Sequence, residues 1–141
     1  MRRELDEKLC KDFPEIFRDR EKHPSETAMC FGFPGDGWYH LIHSLCTLIQ
    51  SYVDRGGVEQ ITAFQVKEKF GTLRFYIWGG DEYVEGLISM AEQASSHICE
   101  KCGNLGKQRY RRGWTITLCE ECAEKEDAEI WELSKEQDGT N

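Results

Sequence analysis

The chain carries two Cys-x-x-Cys pairs, Cys99–Cys102 and Cys119–Cys122, with sixteen residues between them. Thiolates bind zinc tetrahedrally, and each Cys-x-x-Cys knuckle offers one ion two sulfurs from a tight turn. A gap of roughly 15 to 20 residues between two such knuckles marks a zinc site. A redox Cys-x-x-Cys more often stands alone beside a strand–helix unit, and the matched second pair argues against that chemistry. Cys99, Cys102, Cys119 and Cys122 are therefore expected to hold one structural Zn2+. Four thiolates leave no open coordination position, which catalytic zinc requires. His97 is the histidine nearest the knuckles, and it belongs to no His-x-Glu of the deaminase type.

The segment between the knuckles, "GNLGKQRYRRGWTITL", reads as a hairpin turning at Arg112–Gly113, with Trp114, Ile116 and Leu118 alternating to one side of its second strand. The second knuckle opens into "EECAEKEDAEIWELSK", a helical stretch over 120–136 whose early acids suit a helix N-terminus. Knuckle, hairpin, knuckle and helix is the order of a treble clef. Lys107, Arg109, Arg111 and Arg112, with Tyr110 and Trp114 among them, could read nucleic acid by phosphate contact and base stacking. Alternatively, these arginines pair with the acidic helix that follows. Charge favours the second reading. The chain is −8 overall, and residues 99–118 at +4 are flanked by −5 over 1–98 and −7 over 119–141. Only this short segment attracts a polyanion.

The chain's 141 residues suffice for one domain, or one domain with a small module. Seven cysteines cannot all pair as disulfides. Cys10, Cys30 and Cys46 are scattered among apolar or helical stretches, which fits a reducing compartment with three inert buried thiols. No apolar run reaches the roughly 18 residues of a membrane span, and "MRRELDEKLCKDFPEIF" lacks the apolar core of a secretory signal. A cytoplasmic protein without membrane contact is expected.

Along 1–98, an apolar stripe predicts helix over 1–22 with a break near Pro14, then a Pro- and Gly-rich loop over 23–37. A helix over 37–54, capped by Asp36, presents apolar residues every three or four positions and stops at "RGG". Two strands follow, joined near "FGT". Ile61–Lys69 is read with Thr62, Phe64, Val66 and Phe70 on one side; Leu73–Trp78 is read with Leu73, Phe75 and Ile77 opposite Arg74, Tyr76 and Trp78. Asp81 caps a helix over 82–97, with Leu87, Ile88, Ala91 and Ala94 on its apolar face. The result is an α+β fold: helices packed on a small antiparallel sheet (1–98), a zinc module packed against them (99–136), and a disordered tail (137–141).

Three further groups invite a function. His40 and His43 share a helix face but lack a third ligand, so hydrogen-bonded histidines are the simpler reading. "FGFPGDGW" lacks the Gly-Lys-Ser/Thr ending of a phosphate loop. Asp36, Trp38 and Tyr39 nonetheless sit where a loop meets a helix and can bind a small anionic ligand such as a nucleotide, or a partner. Lys67, Lys69, Arg74 and Tyr76 share the outer face of a two-stranded ribbon, as an anion- or partner-binding surface or as an ordinary solvated face.

The blocks "GDGWYHLIHSLC", "QVKEKFGTLRFY" and "CEKCGNLGKQR…GWTITLCEECA" together resemble a family of small proteins from tailed bacteriophages and prophages, over about residues 31–123. Some members end the second knuckle with histidine where this chain has Cys122, which serves zinc equally well. The resemblance implies a phage origin, a zinc finger and expression inside a bacterial cell. It implies no reaction. The expected function is a non-enzymatic accessory protein that binds a host protein to inhibit a host process such as defence; the alternatives are nucleic-acid binding through 107–114 and the Lys67/Lys69/Arg74 face, and binding of a small anionic ligand such as a nucleotide.

Overall fold

Pro14 stops the first helix. In the computed structural model, which describes residues 1–126, α1 spans Arg3–Asp12. Phe13 leaves the helical region at φ −130°, ψ 62°, as expected before proline. Residues 14–21 form turns rather than a second stretch of helix, yet they still bury Ile16 and Phe17. Arg20 closes this segment: its guanidinium donates to both Asp6 carboxylate oxygens at 2.9 and 3.1 Å and to the Cys30 carbonyl at 2.8 Å.

The loop over 23–37 contains two short 3-10 turns, Ala28–Phe31 and Asp36–Trp38. Helix α2 then begins at Tyr39 and runs to Asp54. Asp36 does not cap it. Its carboxylate instead accepts the Arg2 backbone N–H at 2.7 Å, which corrects the capping role expected from sequence. Ile42, Leu45, Cys46 and Ile49 form the buried stripe of α2.

Strands β1 (Thr62–Lys69) and β2 (Thr72–Trp78) pair antiparallel through a two-residue turn. Phe70 and Gly71 take φ values of 54° and 77° in that turn, and two successive positive values match the twist of a tight hairpin. The register shifts between Ala63 and Gln65. This bulge overturns the expected alternation on β1. Ala63 and Val66 face the core opposite Ile77 and Phe75, while Phe64 is turned outward. One extra residue in a strand moves every side chain before it to the other face.

Helix α3 (Glu82–Ser95) packs on β2 and α2. The Asp81 carboxylate caps it by accepting the Val84 N–H at 3.1 Å, as the sequence predicts. This helix also satisfies the free edge of β2. The Leu73 and Phe75 N–H groups donate to Ser95 Oγ and Glu92 Oε1 at 2.8 and 3.0 Å. On the β1 side, Ala63 N–H donates to the Ile16 carbonyl at 2.8 Å. A lone two-stranded sheet is only marginally stable, and these bonds tie its edges to the layers around it. One apolar core results, centred on Leu9, Ile16, Trp38, Ile49, Leu73 and Phe75.

Beyond α3 come β3 (Lys107–Arg111), β4 (Trp114–Leu118) and α4 (Glu120–Glu126). The architecture is α+β, with four α-helices and two small antiparallel sheets among the described residues. The helix expected over 120–136 is seen from Glu120 to Glu126; its remainder and the tail at 137–141 lie outside the described residues. No described helix is long and apolar enough to cross a membrane.

Candidate metal centre

The two knuckles meet because β3 and β4 bring them back together. Their pairing runs from Arg111 opposite Trp114 at the turn to Lys107 opposite Leu118. Cys99 precedes this hairpin, Cys119 follows it, and Cys122 lies one turn into α4. The four sulfurs of Cys99, Cys102, Cys119 and Cys122 lie within 4.8 Å of one another. Two thiolates on a tetrahedral zinc, with bonds of about 2.3 Å, stand about 3.8 Å apart. The Cys102–Cys119 sulfur separation is 3.6 Å. The donor set and spacing therefore suit one metal ion held by four thiolates.

The local electrostatics fit a cation as well. Burial opposes ionisation of Cys99, but backbone N–H groups of Cys119, Cys102 and Lys101 outweigh it and bring the pKa down to about 7. Burial and then the neighbouring thiols push Cys122 upward. A divalent ion at the centre relieves this crowding, because coordinated thiols lose their protons outright. Among the described residues, the buried apolar residues around the site are Cys99, Leu118, Cys119 and Ala123, with Ile116 and Cys122 packed against them. The cluster is small, and a metal ion held by the four thiolates would add folding energy to it.

The first knuckle rests on the glycine-rich loop. Gly37 N–H donates to the Glu100 carbonyl at 3.0 Å, and a Cβ on Gly37 would overlap the Cys99 carbonyl oxygen. A Cβ on Gly35 would likewise overlap the Glu100 carbonyl oxygen. "FGFPGDGW" is therefore a seat for the knuckle: its glycines let two backbones touch. Trp38 reinforces the contact. It is fully buried, and its indole N–H donates to the Ile98 carbonyl at 2.9 Å.

Neither a family model, a curated protein nor a solved structure matches this chain. The site must be read from its own chemistry.

Several residues expected to bind ligands have structural duties instead. Trp38 and Tyr39 are buried, and Asp36 pairs with Arg2 at 3.2 Å. Arg109 is only 2% exposed; it donates to the Leu118 carbonyl and to Glu120, both at 3.0 Å. Arg111 binds Glu126 at 2.6 Å. Two of the four hairpin cations are thus engaged with α4 or the strand beside it, as the pairing alternative anticipated. Lys107, Arg112 and Trp114 remain exposed. His43 hydrogen-bonds Asp12 at 3.1 Å, and His40 is exposed. Of the scattered thiols, Cys46 is buried, whereas Cys10 and Cys30 are only half-buried. Burial, followed by the Asp6 charge, pushes Cys10 up to about 11.

The outer face of β1–β2 differs. Phe64 stacks on Tyr76 with ring centres 5.8 Å apart and packs on Trp78 at 4.6 Å. Trp78 is 64% exposed. Lys67 stands over the Tyr76 ring at 5.7 Å and directly opposite Arg74 in the register. Gln65, Lys69 and Thr72 complete this face, which carries three cations and no carboxylate. Tyr76, Lys67, Lys69 and Arg74 were legible in the sequence as an outer face. Phe64 was not, because nothing in the alternation of "ITAFQVKEK" marks the bulge that turns it outward.

Proposed function

We propose that this is a non-enzymatic phage protein, stapled by a structural Zn2+ in a treble-clef finger, that binds single-stranded nucleic acid on the outer face of β1–β2. The observation that carries the reading is an aromatic cluster, half-buried Phe64 and Tyr76 with exposed Trp78, bordered by Lys67, Lys69 and Arg74. Exposed aromatic rings stack on unpaired bases, and a basic track holds the backbone. Lys67 and Arg74 face each other across the hairpin. Like charges directly opposed cost stability in a sheet, and a phosphate between them removes that cost. The negative charge of the rest of the chain confines a strand to this face. The reading moves nucleic-acid binding away from 107–114, where Arg109 and Arg111 are already paired. The four-thiolate site supports a structural role for the metal, since it leaves no position for substrate.

Fluorescence anisotropy of a labelled oligothymidine with the zinc-loaded chain tests the proposal. Three phosphate contacts predict a slope of about −2 for log affinity against log salt, at roughly 0.7 per contact on single strands. Tyr76→Ala and Trp78→Ala should each weaken binding by about 1–3 kcal/mol. Arg112→Glu should have little effect. A chain that ignores the oligonucleotide but captures a bacterial protein through Trp78 would replace this reading with the host-protein one.

A further inference from the structure

Trp78 belongs to more than the aromatic face. Besides packing on Phe64, it lines a pocket of about 380 Å3 at the end of β2, together with Arg18, Glu59 and the glycine pair Gly79–Gly80. The volume is within the range of small-molecule sites, roughly 300–1,000 Å3. Three separate stretches of chain meet here. Thr62 opposes Trp78 in the register of β1–β2, which brings the approach to β1, and Glu59 with it, to this end of the sheet. The Ala63 N–H bond to the Ile16 carbonyl, at 2.8 Å, carries Arg18 to the same place. Gly79 and Gly80 leave β2 at φ values of 86° and 94° and add backbone without side chains. A Cβ on Gly79 would meet its first neighbour only at 3.9 Å, so the pocket is open beside Trp78.

The polar groups of this pocket suit the edge of a base rather than a bare anion. Arg18 and Glu59 carry opposite charges, and the lining as a whole is neutral. Both side chains are exposed. Arg18 reaches Asp19 only at 3.9 Å, too long for a hydrogen bond, and Lys22 holds that same carboxylate oxygen at 2.9 Å. Glu59 joins no ion pair among the described residues. A guanidinium presents a planar fork of donors, and a carboxylate presents a pair of acceptors. Guanine is the base that matches both. Its O6 and N7 accept from an arginine fork, and in an unpaired strand its N1–H and 2-amino group are free to donate to a carboxylate. Thymine has no such adjacent pair of donors. Trp78, 64% exposed, supplies a ring on which an unpaired base can stack.

We propose that this pocket takes one guanine of the single strand bound on the outer face of β1–β2, stacked on Trp78, with Arg18 donating to O6 and N7 and Glu59 accepting from N1–H and the 2-amino group. The inference rests on the nucleic-acid reading above and adds a base preference to it. Continuity of the surface supports it. Phe64 stacks on Tyr76 and packs on Trp78 at 4.6 Å, so a strand that follows the aromatic face arrives at the pocket without leaving the sheet. Lys67, Lys69 and Arg74 hold phosphates of any sequence, whereas Arg18 and Glu59 select the base.

The experiment is competition, followed by fluorescence anisotropy. Labelled oligothymidine on the full zinc-loaded chain is displaced by plain oligothymidine or by oligothymidine carrying one guanine, adenine or cytosine. The guanine competitor should bind about tenfold tighter than plain oligothymidine, the discrimination of one good bidentate pair. Adenine and cytosine should gain less. Arg18→Lys keeps the charge but loses the fork, and Glu59→Gln loses the double acceptor. Each should erase the guanine preference while leaving oligothymidine binding in place. Both side chains are exposed, and circular dichroism checks that the variants fold. Trp78→Ala should weaken all four competitors. Oligothymidine binding with no base preference, with a preference for adenine or cytosine, or with a guanine preference that survives both Arg18→Lys and Glu59→Gln overturns this inference and leaves the nucleic-acid reading standing. A chain that binds no oligonucleotide overturns both.

Discussion

The Thr117 hydroxyl donates to the Gly71 carbonyl at 2.6 Å, and both residues are buried. This bond ties the metal-bearing hairpin to the turn of the first hairpin, 46 residues earlier in the chain. Gln108 adds a second tie to the Phe70 carbonyl at 3.3 Å. Thr117→Val should leave the Gly71 carbonyl unsatisfied and cost about 1–3 kcal/mol. Gly71→Ala should cost more, because φ is 77° and the new Cβ would lie 3.1 Å from Thr115 Cγ2. Urea unfolding followed by circular dichroism reads both.

Metal removal should unfold the chain from Cys99 onward and leave the core around Trp38 and Leu73 folded. Proteolysis after chelation should then cut within the β3–β4 hairpin first. Rebinding should release protons and weaken as pH falls, because the thiols compete for them. A protease pattern indifferent to chelator contradicts the structural role of the metal.

Gly37→Ala should damage the metal site without replacing any of the four thiolates. Its Cβ has no room beside the Cys99 carbonyl. The expected result is a drop in metal affinity, measured by competition with a chromophoric chelator, in a chain whose α2 is still formed.

Arg109 and Arg112 lie three residues apart in one basic segment and should behave oppositely. Arg109→Ala removes a buried guanidinium that bonds the Leu118 carbonyl and Glu120, at a cost of about 1.5–3 kcal/mol. Arg112→Ala, on the exposed turn, should change stability by less than about 0.5 kcal/mol. Thermal melts of the two variants decide this.

The Tyr52 hydroxyl at 2.7 Å, followed by the Val84 N–H, holds Asp81 below the usual carboxylate range. A depressed folded pKa means the contribution is complete above the ordinary aspartate value and is lost as pH falls through the depressed one. Tyr52→Phe should raise the Asp81 pKa and shrink the acid-side loss of stability. Side-chain carboxyl shifts followed by NMR from about pH 6 to 2 give the first quantity, and urea midpoints over the same range give the second.

Much of the site was legible because metal chemistry is local. The spacing of Cys99, Cys102, Cys119 and Cys122 alone selects them, and the hairpin between them follows from Arg112–Gly113. Even the burial of Arg109 was within reach. A turn at 112–113 sets Arg109 opposite Ile116, hence on the face that looks toward the metal. The helix caps were mixed for a physical reason. Asp81 receives the Tyr52 hydroxyl on one carboxylate oxygen and still caps α3 with the other, whereas Asp36 is drawn to Arg2, 34 residues away.

The sequence by itself determined the α+β class, the core stripe of α2, the two hairpins and the four thiolates, since each depends on periodicity or spacing within one segment. Tertiary structure alone decided three things. It set Gly35 and Gly37 against the first knuckle, turned Phe64 outward at the bulge, and grouped Arg18 and Glu59 with Trp78 around one pocket. Each of these joins groups far apart in the chain or depends on a one-residue register shift, and local pattern carries no information about either.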